Sequence, residues 1–157
     1  MSNIVVGQKL PEFEIVKGGV ATPEGAFEVW GSDEVEGKAT YFVANAGYPE
    51  ANEIHHEVTT EVSDAKNIRK VHIINAKDAP MGASMFIKGE FKKAGKNDVE
   101  NSYILDSKGI VAKELEMEKK SAVIAVTNTE GVVIFTHEGA IDTTVKADIL
   151  AAVASVK

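Results

Sequence analysis

The sequence predicts a single α/β domain, a mixed central β-sheet with helices on both faces and an N-terminal β-hairpin. Three observations predict it. A strand over 38–45, apolar on both alternating faces in its middle, is followed by an amphipathic helix and a second strand; such a βαβ unit forces a parallel pair with a right-handed crossover. Two later strands are joined by Asn128-Thr129-Glu130-Gly131, a hairpin signal that adds antiparallel neighbours. The chain then closes on a capped helix, which completes a mixed sheet covered on both sides. The 157 residues, 44% hydrophobic and 26% charged, suit one globular domain. A chain of this length buries roughly two thirds of its unfolded surface and needs no metal or disulfide staple.

Taken in order, Val6 to Ile15 reads as an extended arm entering a short strand. A second short strand over 26–30 completes the N-terminal hairpin, with Gly18-Gly19 and Pro23 to Gly25 as turns. Gly47 ends the 38–45 strand. Pro49 suits a first helical position, where its missing N–H costs nothing. Ala51, Ile54, Val58, Val62 and Ala65 then form one apolar stripe of a helix over 49–66. The next strand spans 69–75, with Val71, Ile73 and Ile74 as core candidates. Residues 80–94 read as a weaker helix, because Gly82 and Gly89 each lower its propensity by ~1 kcal/mol; Gly95 is its stop. A strand over 102–106 turns through Ser107-Lys108-Gly109 into a short extended piece over 110–115. Strands at 122–127 and 132–137 make the closing hairpin. Asp142 caps a last helix with Val145, Ile149, Ala152 and Val156 on its inner face.

The net charge of −7 argues against sequence-independent binding to nucleic acid or anionic membrane, which needs a dense basic surface. The local cluster Lys88, Lys92, Lys93 and Lys96 reads as a solvated helix face. No run approaches the ~20 apolar residues of a membrane-spanning helix. The opening Met1 to Val6 lacks the basic and apolar segments of a signal peptide, which read literally means cytoplasmic. The same opening would follow from a chain that starts at a mature N-terminus.

The element order resembles the thioredoxin superfamily, particularly its peroxiredoxin-like and TlpA-like branch. Val6-Gly7-Gln8-Lys9-Leu10-Pro11-Glu12-Phe13 looks like that branch's N-terminal arm, and Leu105-Asp106-Ser107-Lys108-Gly109 like its LD-x-x-G turn. The stretch from Ala122 through Gly131 to His137-Glu138-Gly139-Ala140 looks like its terminal hairpin and the loop before its last helix. More narrowly, the chain is similar to the YtfJ family of bacterial periplasmic proteins. That resemblance is carried by Ile73-Ile74-Asn75 with Asp78-Ala79, Met85-Phe86, Ser121-Ala122-Val123-Ile124, Gly47 and the Glu138-Gly139-Ala140 corner, over nearly the whole chain. It implies a single thioredoxin-like domain, with arm and hairpin at 1–37 and a thioredoxin core at 38–157. It also implies a mature periplasmic protein whose signal peptide has been removed.

The chain has no cysteine. The superfamily's redox motif would fall at Gly47-Tyr48-Pro49-Glu50-Ala51-Asn52, with the two cysteines at Tyr48 and Ala51. A thiolate is required for disulfide exchange and peroxide reduction, and neither residue supplies one. The superfamily's cis-proline would fall near Ala122, where a trans bond is expected instead, since cis costs ~3 kcal/mol without proline. Glu50 and Glu53 in the helix's first turn disfavour an anion there. His55-His56 beside Glu53 and Glu57 has no metal-ligand spacing and reads as a solvated helix face; His72 is placed on a sheet face and His137 at a strand end, neither with an evident partner. Ser84, Ser102 and Ser121 lack a hydrolase context, and no nucleotide or cofactor motif occurs. Met81, Met85 and Phe86 read as core.

Two functional readings remain. The first is a non-catalytic protein that binds a peptide or protein partner in the vestigial groove, lined by Asn45, Gly47, Tyr48, Pro49, Ser121, Ala122 and Gly139. In it the backbone edge at 120–122 would pair with an extended peptide, and Tyr48 would add an amphipathic contact. The second is an enzyme with a non-thiol mechanism built from Tyr48, Asn45, Ser121 and nearby carboxylates. No nucleophile–base pair is readable, which favours the first. Neither reading calls for a metal or cofactor.

Overall fold

The computed structural model describes residues 2–22, 24, 26–45, 49–77, 93, 101–118 and 121–156, with the backbone alone at 49–52. Seven strands form one sheet in the order β2-β1-β5-β4-β3-β6-β7. They are β1 (Glu14–Ala21), β2 (Phe27–Gly31), β3 (Thr40–Asn45), β4 (Arg69–Asn75), β5 (Asn101–Asp106), β6 (Ala122–Thr127) and β7 (Val133–Glu138). The helices are α1 (Pro49–Val62), α2 (Ile110–Glu114) and α3 (Thr143–Ser155), with a 3-10 turn at Ser32–Val35. β3, β4 and β5 run parallel, as the βαβ pattern requires, and every other pairing is antiparallel.

The pleat divides the core in two. On one face Phe42, Ala44, Val71, Ile73, Ile104, Val123 and Ala125 meet the N-terminal arm (Ile4, Leu10, Phe13), Val35, Val111 of α2 and Leu115 just beyond it. On the other, Tyr41, Val43, Ile124 and Val126 meet Val58 and Val62 of α1 and Ile149 and Val153 of α3. The period-2 alternation of β3 and β6 feeds both layers, so both strands are apolar throughout. The expected inner face of the last helix holds for Ile149 and Val156, both buried, and Val153 joins them. Asp142 caps that helix by accepting from the Val145 N–H at 2.8 Å.

Three expectations are corrected. Gly18-Gly19 are not a turn but lie inside β1, at φ 95° and 100°. A Cβ on Gly18 would stand 2.2 Å from the Leu105 carbonyl oxygen, and one on Gly19 would stand 1.9 Å from that of Glu28. The pair is a strand irregularity that lets β1 lie close against both neighbours, with the register to β2 shifting between Ile15 and Val20. Residues 110–114 are helical, not extended. The buried Asp106 carboxylate accepts from the N–H of Ile110 at 3.0 Å and of Val111 at 2.8 Å, which starts a helix directly after Gly109 at φ 67°. α1 ends at Val62 rather than 66, tightening through Ala65 N–H to the Val62 carbonyl at 2.9 Å. The buried Lys70 donates from Nζ to the Ala65 carbonyl and fastens that end to β4. The helix expected over 80–94 and the Met81-Met85-Phe86 group lie outside the described residues, apart from Lys93, which is helical and exposed.

Candidate functional site

The carboxyl end of β3 meets the amino end of the antiparallel β6 where Asn45 pairs with Ala122. Helix α1 begins at Pro49 soon after β3, as expected for a strand-to-helix junction with proline at the first turn. Gly139 donates its N–H to the Ala122 carbonyl at 3.0 Å, at φ 92°. The structure thus brings Asn45, Ser121, Ala122 and Gly139 together at the strand ends beside the start of α1; Gly47 and Tyr48 lie outside the described residues. Ser121 and Ala122 are buried. Ser121 N–H donates to the Glu118 carbonyl at 3.3 Å, so at Ser121 and Ala122 the edge expected to receive a peptide is already used by the chain itself. A carboxylate organises this corner: Glu138 Oε2 accepts from Glu118 N–H and from the Ser121 hydroxyl, each at 2.7 Å. His137 closes the corner, its Nε2 lying 2.7 Å from the Ala140 carbonyl. No cis peptide bond occurs among the described residues.

Behind Asn45 lies a polar chain that sequence reasoning missed. His55 is not on a solvated helix face; it is 6% exposed and points at the sheet. The Asn45 amide nitrogen lies 3.2 Å from His55 Nε2, and His55 Nδ1 lies 3.1 Å from the Thr59 hydroxyl. The Thr59 hydroxyl is in turn 2.7 Å from the Tyr41 hydroxyl. One tautomer satisfies all of it: Asn45 donates to an unprotonated Nε2, and Nδ1–H donates to Thr59. Burial pushes the imidazole down to about 4, and the nearby imidazoles of His72 and His56 push the same way. Burial also holds the Tyr41 phenol above its ordinary range, against the opposing effect of its bond to Thr59.

The chain borders a cavity of about 460 Å³ that runs along α1, from Asn45 and Ile74 towards Ser63 and Asn101. Its far wall is a stacked pair on adjacent strands: the rings of His72 and Tyr103 are 5.0 Å apart at 11°. His72 Nε2 lies 3.1 Å from Asn101 Oδ1, so this histidine does have partners. The signal for the cluster was present as spacing. His55 and Thr59 are four apart beside the apolar stripe, and Tyr41, Val43 and Asn45 alternate onto one sheet face with His72. Both nitrogens of His55 are engaged, and among the described residues no group of three or more His, Asp or Glu could hold a metal ion.

These features define a thioredoxin-like protein whose redox corner carries no thiol. The fold matches the structure of a 2-Cys peroxiredoxin from Plasmodium vivax at a TM-score of 0.61, with 14% identity over 96% of this chain and 94% of that one. It likewise matches a putative thiol:disulfide interchange protein DsbE from Chlorobium tepidum at 0.55, with 17% identity over 96% and 99%. Over residues 4–156 the chain matches the model described as "Bacterial protein of unknown function (YtfJ_HI0045)", and it belongs to that YtfJ family. An uncharacterized protein of Haemophilus influenzae is 30% identical over 145 residues, covering 87% of this chain and 78% of that one.

Proposed function

We propose that this chain is a non-catalytic thioredoxin-like protein of the bacterial periplasm that binds a peptide or protein partner at the strand-end crevice of Asn45, Gly47, Tyr48, Pro49 and Gly139. The observation that carries this reading is the hydrogen-bonded chain Asn45–His55–Thr59–Tyr41. It holds a polar side chain rigidly at the position where open α/β sheets gather their ligands, the carboxyl ends of the strands. It does so with a histidine kept neutral and hydrogen-bonded at both nitrogens, an arrangement that fixes the Asn45 side chain for recognition. The periplasmic setting follows from the family resemblance. The test is capture of a partner from periplasmic extract on the immobilised protein, with Tyr48→Asp as the matched control, followed by amide-shift mapping. Shifts at Asn45 and Gly139 support the reading. Shifts confined to the opposite face, around Trp30, Val35 and Leu115, refute it. Fractionation of cells carrying the natural gene checks the compartment.

A further inference from the structure

We infer that the groove between α1 and α3 receives a basic side chain, lysine or arginine, from the partner. The inference rests on the binding reading above and names the chemistry of that partner. The groove, about 390 Å³, opens where the Gly139-Ala140 corner passes into Ile141 and Asp142, so it continues the strand-end crevice along the helices.

Its geometry follows from the sheet. β6 is antiparallel to both β3 and β7, so β3 and β7 end on the same side and α1 and α3 start from it together. Glu53, Glu57 and Glu61 stand four residues apart, one row along α1. Lys146 of α3 places its Nζ 2.7 Å from Glu57 Oε1 and 3.2 Å from Glu61 Oε1. One turn earlier the pattern repeats with a change of sign: the α3 position beside Glu53 and Glu57 is Asp142. Asp142 Oδ1 accepts from the Val145 N–H. No described residue bonds its Oδ2, and none bonds or pairs with the Glu53 carboxylate. The chain's own Lys146 shows what the acidic row accepts, and the turn before it has no such cation among the described residues.

Charge and shape agree on the occupant. Glu53, Glu57, Glu61 and Asp142 face the single ammonium of Lys146. The two helix starts at this end add about half a positive charge each, which leaves the groove negative. Below the rim the floor is apolar: Val58 is buried, and Ile54 and Ile141 are half-buried. An acidic rim above an apolar floor fits a long alkyl stem that ends in a cation. The stem covers Ile54 and Ile141, and the head reaches between Glu53 and Asp142. An aliphatic side chain would satisfy the floor alone, and an acidic one would meet repulsion at the rim. The net charge of −7 steers the same kind of partner towards the protein.

Two acetylated, amidated tripeptides test this, Lys-Leu-Lys and Glu-Leu-Glu, which share an apolar centre and differ in the sign of charge. Titrated at low salt into the isotope-labelled protein, Lys-Leu-Lys should shift the amides of Glu53, Ile54, Ile141 and Thr143 saturably, at roughly millimolar concentration. Glu-Leu-Glu should leave them unmoved. Glu53→Gln combined with Asp142→Asn should weaken Lys-Leu-Lys about fivefold, the size that two exposed ion pairs supply. Asparagine caps a helix as well as aspartate does, so the melting curve should stay that of the native chain. Glu12→Gln combined with Glu28→Gln, both exposed in the arm and β2, removes the same charge elsewhere and should change the affinity less than about twofold. Equal binding of the two peptides, shifts scattered over the surface, or equal losses in the two double variants would overturn the inference. If Lys-Leu-Lys is silent while a captured partner shifts Asn45 and Gly139, the basic side chain fails and the binding reading stands. If Lys-Leu-Lys fills the groove while a captured partner shifts only the opposite face, the groove stands and the crevice reading fails.

Discussion

Acidification should destabilise this protein measurably through His55. His55 has an ordinary imidazole value of 6.5 in the unfolded chain and about 4 in the folded one. Between those values the unfolded state binds the extra proton, so stability rises with pH across that window and is lost as pH falls through it. The shift of about 2.5 units at 1.36 kcal/mol each corresponds to about 3 kcal/mol, a large share of a typical domain's stability. The effect is complete by pH 4 and absent above about 6.5. Carboxylates titrate in the same range, so the measurement is a difference. Urea unfolding is followed through the single, buried Trp30 at a series of pH values, for the native chain and for His55→Gln. Glutamine keeps a polar side chain near Asn45 and Thr59 but takes no proton. The native chain should lose about 3 kcal/mol more than the variant between pH 6.5 and 4. Parallel curves for the two, or a His55 resonance that titrates near 6.5, would refute the buried-neutral assignment.

Gly19→Ala, whose Cβ would meet the Glu28 carbonyl at 1.9 Å, should destabilise by about 3 kcal/mol or more. Gly37→Ala, equally left-handed but with nothing within 4 Å, should cost only about 1–2 kcal/mol in the same thermal melts. Asp106→Ala strands the buried Val111 N–H and the part-buried Ile110 N–H and should cost about 2–3 kcal/mol, against ~1 kcal/mol for Asp142→Ala at an exposed cap; equal losses would contradict the role given to Asp106. Purified protein should not reduce insulin disulfides. A Tyr48→Cys, Ala51→Cys double variant should form an intramolecular disulfide, since one turn at a helix start holds Cα atoms within ~7 Å; two thiols persisting in oxidised glutathione would mean the alignment to the redox motif is wrong.

The strands were the legible part of the fold. Arg69–Asn75 and Ala122–Thr127 fall where the pattern put them: Ala122–Thr127 is buried on both faces and reads as a nearly continuous apolar run, and Val71, Ile73 and Ile74 mark the other. Residues 110–115 misled because Ile110 and Val111 favour extended backbone locally, while the deciding contact is a carboxylate four and five residues upstream. Gly18-Gly19 misled because paired glycines signal both turns and close strand contacts; only the neighbours across the sheet, Leu105 and Glu28, distinguish the two. Of the candidate site, Asn45 was legible as the end of β3. His55 was not, since a helix stripe separates core from solvent but does not say which flanking polar residue reaches back to the sheet. Its partner Asn45, and the Tyr41 that bonds Thr59, come from a strand earlier in the chain, a meeting that periodicity alone does not encode.

The close seat of β1 against β5 also bears on how the chain acquires its fold. Gly18 pairs with Asp106 across roughly ninety residues of sequence, a closure as long as that of Thr40 with Thr127, whereas β3 with β4 and β6 with β7 join nearer neighbours. Long closures cost more entropy and form late, although each doubling of length adds only ~0.6 kcal/mol. The two glycines are the seam along which the N-terminal hairpin closes on the rest of the sheet. In the assembled state that seam leaves no room for a side chain, so the hairpin's seat admits only bare backbone at Gly18 and Gly19.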